Sequence, residues 1–273
     1  QTSESEAAEE LTRAEEALRA GLERAAALSD SAPAAEPDSL GGYMEALAER
    51  EETLATPYAA LDEAAGIHPG RITLIAARPS HGKTTFLLTL LVHWLKQHPE
   101  KRFVFFSYDG PREQLLSQLV SRLTRRYALR EVEDALRGGW PALGGHPEAA
   151  ELIAGAQAAL RWLEGSGAER RLFLIDRALS ARELHRCVKD LASGGPLGAV
   201  FVDYIQQVRP GNSKRFETRQ REVGYVSRTL QALAQETGVP VVAAAQLNRM
   251  SEAQGKTDRP RLWQLREAGD LEQ

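Results

Sequence analysis

The stretch ITLIAARPSHGKTTF, residues 72–86, is an apolar segment that runs into a glycine-containing loop and then into a helical pattern. The loop fits GxxxxGK[ST], the pattern of phosphate-binding loops, with Gly82, Lys83 and Thr84 in its last three positions. Ala77 stands where the first glycine is usually found. Since the unpaired N–H groups at a helix N-terminus attract phosphate, the stretch indicates that the chain binds a nucleoside triphosphate.

Each residue type of this loop has a role in that interpretation. Lys83 would place a positive charge on the β and γ oxygens, and the Thr84 hydroxyl would complete the shell of a Mg²⁺ ion. An ordinary strand, turn and helix is the alternative, but it leaves the adjacent lysine and threonine unexplained. We assign to the nucleotide site Ala77, Arg78, Pro79, Ser80, His81, Gly82, Lys83, Thr84 and Thr85.

Composition limits the class of protein. The 273 residues suffice for one sizeable core and an extra helical segment. A formal charge of −4 argues against a basic surface throughout, so contacts with nucleic acid must come from local groups. Cys187 is the single cysteine, which excludes an internal disulfide and favours a reducing compartment. No apolar run approaches about 18 residues, so we expect no membrane association and a cytoplasmic location.

Residue patterns predict three regions: an N-terminal helix in 1–30, a linker with a linker helix in 31–55, and an α/β domain in 56–273. The first helix has one narrow apolar stripe, which requires a surface to pack against. A neighbouring subunit and the core of the chain itself remain equal alternatives.

In the third region, short apolar strands alternate with helical patterns, which predicts a mainly parallel, twisted sheet flanked by helices. We expect strands at 72–77, 103–107, 171–175, 199–205 and 239–245. We expect helices near 83–97, 111–128, 148–163, 180–192 and 217–237. Residues 129–147 fit a loop or a short helix equally well.

Three polar residues lie at or just after the carboxyl ends of predicted strands, at the edge where ligands of such sheets lie. Asp203 ends AVFVD and can hold Mg²⁺ opposite Thr84, unless it merely ends the strand. Asp109, in FFSYDG, can act as the general base toward water, or it can cap the helix that starts near Pro111. Gln246, in AAAQLNR, can sense the γ-phosphate, although a turn after a strand is the alternative.

Five blocks together resemble one family: ARPSHGKTTF, FFSYDGPREQL, VFVDYIQQV, RQREVGYVSRTLQALAQETGVPVVAAAQLNR and RPRLWQLREAGDLEQ. Their order and spacing are similar to those of the ATPase domain of DnaB-type replicative helicases, which has a RecA-like fold, over about residues 56–273. The resemblance implies that Lys83 and Thr84 bind ATP and Mg²⁺, that Asp203 is the metal carboxylate and that Gln246 is the γ-phosphate sensor. Ala77 in place of glycine also matches the family.

The resemblance further implies a homohexameric ring that moves 5′ to 3′ on single-stranded DNA, with primase, a helicase loader or other replisome proteins as partners. Arg266, Glu267 and Gly269 match family positions that touch the DNA backbone, and we assign Arg249 to DNA as well. An arginine can pair with a phosphate, and a glycine allows close approach. Without the family likeness, an ordinary polar loop is the alternative.

Two departures from the family leave a second function open. The family has Glu then Met where this chain has Asp109 and Gly110, and the sequence stops at Gln273, before the family's last strands and basic finger. It is therefore either a fragment or a degenerate relative. The alternative function is a helicase-like paralogue or loader-type clamp that binds ATP with little hydrolysis. A recombinase or clock-type RecA relative fits the VDYIQQ and LREAG blocks poorly.

We expect slow or partner-dependent ATP hydrolysis, because Asp109 is about 1.5 Å shorter than the usual glutamate. Asp109→Glu should raise the turnover number, and each tenfold gain would correspond to about 1.4 kcal/mol of barrier. Steady-state ATPase assays of both proteins check this. Unchanged turnover in Asp109→Ala would remove the proposed role of this carboxylate.

Overall fold

A computed structural model of the chain describes residues 53–125, 129–136, 147–164, 170–211, 216 and 218–247. These residues belong to the second of two units into which the chain divides, Glu52–Gln273. They form α1 (Ala59–Ala64), β1 (Ile72–Ala77), α2 (Lys83–Gln97), β2 (Arg102–Ser107), α3 (Arg112–Thr124), α4 (Leu129–Leu136), α5 (Pro147–Glu164), β3 (Leu172–Ile175), α6 (Ala181–Ser193), β4 (Leu197–Asp203), a 3₁₀ turn (Ile205–Gln207), α7 (Arg219–Thr237) and β5 (Val241–Gln246).

The sheet has five strands in the order β1-β5-β4-β2-β3, and every described pairing is parallel. Parallel strands need a crossover connection, and the helices between successive strands provide it. The order places the last strand, β5, between β1 and β4. The mainly parallel sheet predicted from the apolar strands is thus confirmed.

Alternate residues of each strand supply the cores on the two faces of the sheet. In β2, Phe103 and Phe105 pack on the face covered by α2, whereas Val104 and Phe106 pack on the face covered by α6 and α7. All four side chains are fully buried. Because the side-chain period of a strand is two, a near-continuous apolar run is what two covered faces require.

Helix ends follow the local sequence. Ser180 and Glu183 form a capping box at the start of α6. Thr218 caps α7 by accepting a hydrogen bond from the backbone N–H of Arg221. One apolar stripe of α7 is buried, and it consists of Val223, Val226, Leu230 and Leu233.

The segment before α1 is tied to the helix that follows the phosphate loop. Trp94, fully buried on α2, donates its indole N–H to the carbonyl oxygen of Ala55 at 2.7 Å. The ring of Tyr58 stacks on Phe86 with a centroid distance of 5.2 Å. Leu54 is also buried in the same core. Residues 54–58 therefore belong to the packed domain.

Several predicted features differ from the structure or lie outside it. Helix α1 is missing from the prediction, and α4 occupies part of the region 129–147, for which a loop and a short helix were the two alternatives. The N-terminal helix of 1–30, most of the linker region 31–55 and the DNA-binding residues lie outside the described residues. Within the described ranges, every helix is too short or too polar to cross a bilayer.

Gly198 lies at an irregularity between β2 and β4. Arg102 pairs with Leu197 and Phe103 with Ala199, so Gly198 is the extra residue of a bulge. A Cβ atom added at Gly198 would lie 2.5 Å from Cε1 of the buried Phe103 ring. Absence of a side chain at this position is therefore a packing requirement.

We predict that Gly198→Ala lowers the free energy of unfolding by about 1–3 kcal/mol, the usual cost of overpacking. Adding Phe103→Leu should recover part of that loss, because the smaller side chain relieves the clash. Chemical denaturation of the two single variants and the double variant measures the coupling. Strictly additive losses would show that the ring and the added methyl do not meet.

Candidate active site

The predicted functional residues lie at the carboxyl ends of neighbouring strands. In register, Ala77 at the end of β1 pairs with Gln246 of β5, and Ser107 of β2 pairs with Asp203 of β4. The loop after β1 therefore shares one edge of the sheet with Asp203 and Gln246. This is the edge at which ligands bind in open parallel sheets.

The phosphate-binding loop has the backbone geometry of an anion cradle. Gly82 is the N-cap of α2 and has a φ of 79°, a left-handed conformation that favours glycine. Ser80 also has a positive φ, 59°. The His81 ring contacts the carbonyl oxygen of Pro79 through Nδ1 at 2.7 Å. The loop leads directly into the N-terminus of α2, whose dipole favours an anion, and the first turn of α2 has no acidic residue that would compete with one.

Thr84 and Asp203, the two residues predicted from the sequence to hold Mg²⁺, lie in direct contact. The Thr84 hydroxyl donates a hydrogen bond to Oδ2 of Asp203 at 2.6 Å, joining the first turn of α2 to the end of β4. The Asp203 side chain is buried, with the residue only 3% exposed. Carboxylate and hydroxyl oxygens are the ligands that Mg²⁺ prefers. This donor set fits the metal.

Burial raises the pKa of Asp203, and repulsion from Asp109 adds to the effect. The Thr84 hydrogen bond and the charge of Lys83 act in the opposite direction. The ionised form of Asp203 is therefore destabilised overall, because the positive charge near it does not compensate for its burial. A divalent cation at this position would supply the missing charge.

The cationic groups of the loop are also arranged for an anion. Lys83 donates from Nζ to the carbonyl oxygen of Arg78 at 3.3 Å, and its ammonium lies 6.0 Å from the centroid of the Tyr204 ring. The buried Nε and Nη2 atoms of Arg78 have no hydrogen-bond partner among the residues that the structure describes. Unpaired buried donors are costly. They fit a site that is completed by phosphate oxygens.

Asp109 lies at the same edge and does not cap α3. Pro111 is the N-cap of that helix and offers no side-chain acceptor, and the backbone N–H of Arg112 donates to Oδ2 of Asp176 at 3.2 Å. Asp109 instead accepts a hydrogen bond at Oδ1 from the amide nitrogen of Gln207 at 3.1 Å. The capping alternative is therefore wrong within the described structure. The role of general base stays a prediction.

Gln246 is held at the strand end by another glutamine. The side-chain amide of Gln206 donates to the backbone carbonyl of Gln246 at 3.0 Å and accepts from its backbone N–H at 3.1 Å. This pair of bonds fixes the backbone of Gln246 relative to the turn after β4. The backbone position from which the Gln246 side chain extends, beside Ala77, is therefore well defined.

Sequence reasoning missed the contribution of the turn after Asp203. Tyr204, Gln206 and Gln207 all contact site residues, and together with Asp203 they link Lys83, Gln246 and Asp109. Two polar amides directly after a buried strand end were the available signal. Their partners are 40 and 98 residues distant in sequence, so only the fold identifies them.

A basic cleft of about 670 Å³ lies between the N-terminal ends of α6 and α7. Its lining includes four arginines and two glutamates, a local excess of two positive charges on a chain whose formal charge is −4. These charged residues are Arg182, Glu183, Arg186, Arg209, Arg219 and Glu222. Such a cleft favours an anionic polymer or a phosphate group. Arg249, Arg266, Glu267 and Gly269 lie outside the described residues.

Comparison with known proteins agrees with the geometry. Residues 53–273 match the family model of the DnaB-like helicase C-terminal domain. The chain is 33% identical over 211 residues to the replicative DNA helicase DnaB of Rhodothermus marinus, covering 76% of this chain and 20% of that protein. It is 32% identical over 227 residues to DnaB of Pasteurella multocida strain Pm70, covering 81% and 44%.

A solved structure shows a similar fold. It is that of a DnaB-like replicative helicase and its interactions with primase, with a TM-score of 0.67 and 22% identity. The match covers 93% of this chain and 58% of that chain. This chain spans less than half the length of the two DnaB relatives from Rhodothermus marinus and Pasteurella multocida.

We predict that Asp203→Asn stabilises the ligand-free protein at pH 8 and abolishes stabilisation by Mg²⁺ with ATP. Because the folded-state pKa of Asp203 is raised, the fold favours the neutral form, and the free energy of unfolding falls as pH rises through that pKa. The gain should be roughly 2–4 °C in Tm, as expected for about 1 kcal/mol in a chain of this size.

Thermal unfolding of both proteins in EDTA at pH 8 and at a series of lower pH values measures the effect, since the difference in Tm should shrink as the wild-type carboxyl takes up a proton. Thermal scans with Mg²⁺ and ATP test the metal role in the same proteins. A lower Tm for Asp203→Asn than for the wild type at pH 8 would contradict the conclusion that the fold destabilises the ionised carboxylate.

Proposed function

We propose that this chain, which belongs to the family of DnaB-like helicase C-terminal domains, is the ATP-driven motor part of a replicative DNA helicase. One observation carries the proposal: the hydroxyl of the phosphate-loop threonine lies 2.6 Å from the carboxylate that ends β4. The pair supplies a metal site beside a loop suited to a triphosphate. Because the chain spans only part of its relatives, the activity of the whole protein is part of the proposal.

In this proposal, ATP binds along the loop from Ala77 to Thr85. Backbone N–H groups around Gly82 and the side chains of Lys83 and Arg78 would bind the phosphates. Thr84 and Asp203 would hold Mg²⁺, which neutralises charge on the β and γ phosphate oxygens when bound. The raised pKa of Asp203 and the unpaired donors of Arg78 support this assignment.

Hydrolysis requires a group that accepts a proton from the attacking water. Asp109 lies close enough to Asp203 to raise its pKa, which supports a place for Asp109 near the γ-phosphate. We assign it the role of general base. Gln246 would detect the γ-phosphate, since an amide both donates and accepts hydrogen bonds and its backbone is fixed by Gln206.

Single-stranded DNA is the proposed polymer on which the motor acts. Arg249, Arg266, Glu267 and Gly269 carry this assignment through their match to the family motif. The arginine-rich cleft between α6 and α7 gives independent physical support, because local positive charge on an acidic chain attracts a polyanion. Backbone contacts of this kind should weaken with salt and be indifferent to base sequence.

The proposed assembly is a homohexameric ring that moves 5′ to 3′ in the cytoplasm. Primase is one proposed partner, since the similar solved structure is of a DnaB-like helicase and its interactions with primase. A helicase loader and other replisome proteins are further candidates from the family resemblance. ATP bound at a subunit boundary would be sensed by Gln246, and this would shift the loop near Arg266 that is proposed to contact DNA.

We predict that single-stranded DNA stimulates ATP hydrolysis by the wild-type chain and that Lys83→Ala lowers turnover roughly 100-fold or more, because a charge on the transferred phosphate is lost. Lys96→Ala is the matched control, since Lys96 is an exposed lysine at the other end of the same helix. The assay is ATP turnover with and without single-stranded DNA.

The two functions give different results in this assay. Turnover that rises with DNA supports the motor. Negligible turnover in all conditions, together with tight ATP binding in a calorimetric titration, supports the clamp, and absence of ATP binding in that titration would refute both.

A further inference from the structure

Gln207 joins two residues of the candidate active site. Its amide nitrogen Nε2 donates to Oδ1 of Asp109 at 3.1 Å and to the hydroxyl oxygen of Tyr204 at 3.0 Å. A primary amide has two N–H donors, so the two contacts use both of them. The direction of this amide is therefore set by two acceptors on different segments of the chain.

The second acceptor connects the amide to the phosphate loop. Tyr204 follows Asp203 directly, and its ring centroid lies 6.0 Å from the Lys83 ammonium. Contacts thus run from Asp109 through Gln207 and Tyr204 to the lysine of the loop. Each residue of this series lies at the carboxyl edge of the sheet.

The backbone that carries Gln207 is itself fixed. Gln207 is the last residue of the 3₁₀ turn, and its backbone N–H donates to the carbonyl of Tyr204 at 3.0 Å. The preceding Gln206 makes two hydrogen bonds to the backbone of Gln246. The amide of Gln207 therefore extends from a support attached to both β4 and β5.

Asp109, in contrast, lies in the short connection between β2 and α3. The Ser107 hydroxyl donates to the carbonyl of Gly110 at 2.7 Å, which closes the backbone of this connection around Asp109. That bond places the Cα atom of Asp109 and leaves its carboxylate to be directed by a side-chain contact. Gln207 provides this contact from the turn that follows the neighbouring strand β4.

We propose that Gln207 is a positioning residue for ATP hydrolysis: its amide holds Oδ1 of Asp109 and so directs Oδ2 toward the attacking water. The inference rests on the proposed function, in which Asp109 is the general base. A general base must lie within about 2.6 to 3.2 Å of the group whose proton it takes, and a short aspartate has little reach to correct its direction. A fixed amide donor compensates for that restriction.

Gln207→Leu removes the donor at nearly constant volume. It should lower the kcat of DNA-stimulated ATP hydrolysis by roughly fivefold to tenfold, a modest effect for a hydrogen bond to a charged group because the pair is exposed. The KM for ATP should change less than twofold, since Gln207 acts on Asp109 and not on the bound phosphates. Gln235→Leu is the control, an exposed glutamine on α7.

A length exchange distinguishes positioning from a general structural effect. Gln207→Asn withdraws the donor by about 1.5 Å and should lower kcat in the wild-type background. In the Asp109→Glu background the added methylene restores the span, so the same Gln207→Asn change should alter kcat less than twofold. A structural role would give equal losses in both backgrounds.

If the wild-type chain hydrolyses ATP and the kcat of Gln207→Leu is within twofold of the wild-type value, this inference alone is overturned. Equal losses on Gln207→Asn in the two backgrounds would do the same. No turnover by the wild-type chain, or the same turnover in Lys83→Ala, would instead refute the proposed function, and this inference with it. Thermal unfolding of each variant confirms that the comparison is made between folded proteins.

Discussion

The hydrogen bond between Thr84 and Asp203 is the contact on which the rest of the site depends. It brings the first turn of α2 against the end of β4, although β5 lies between β1 and β4 in the sheet. Parallel pairing is what makes this possible, because all the strands end at one edge. A buried carboxylate at that edge carries a free-energy cost, and the cost is offset when a cation binds.

From that contact the turn after β4 organises the remaining site residues. Four residues of one short segment contact groups from other parts of the sheet edge: Asp203 contacts Thr84, Tyr204 contacts Lys83, Gln206 contacts the end of β5, and Gln207 contacts the carboxylate after β2. Because one short segment contacts groups from the carboxyl ends of other strands, it can hold these groups in place before a ligand binds. Hydrogen bonds of ordinary length join three of these residues to Thr84, Gln246 and Asp109.

The sequence was sufficient where the information is local. A buried strand, a phosphate loop and a helix have strong periodic patterns, and β1 and α2 begin and end where predicted. The limits of other elements depend on single residues: β5 starts at Val241, after Pro240, which lacks an N–H donor, and α3 ends at Thr124 because Arg125 adopts a φ of 52°. The six-residue α1 has no buried residue, so no apolar pattern marks it. Likewise, only the fold shows that Pro111 and Asp176, and not Asp109, lie at the start of α3, and that Asp109 contacts Gln207, which is 98 residues distant in sequence.

The most direct test of this account is calorimetric titration of ATP into the wild-type chain and Thr84→Val, each in Mg²⁺ and in EDTA. Val is close to threonine in shape but lacks the hydroxyl that faces Asp203, and Thr89→Val on the same helix serves as the control. The account predicts that wild-type affinity for ATP is roughly tenfold or more higher in Mg²⁺ than in EDTA, and that Thr84→Val loses this difference, at about 1.4 kcal/mol per factor of ten. Equal wild-type affinity in Mg²⁺ and in EDTA, or no binding of ATP by the folded protein, would contradict it.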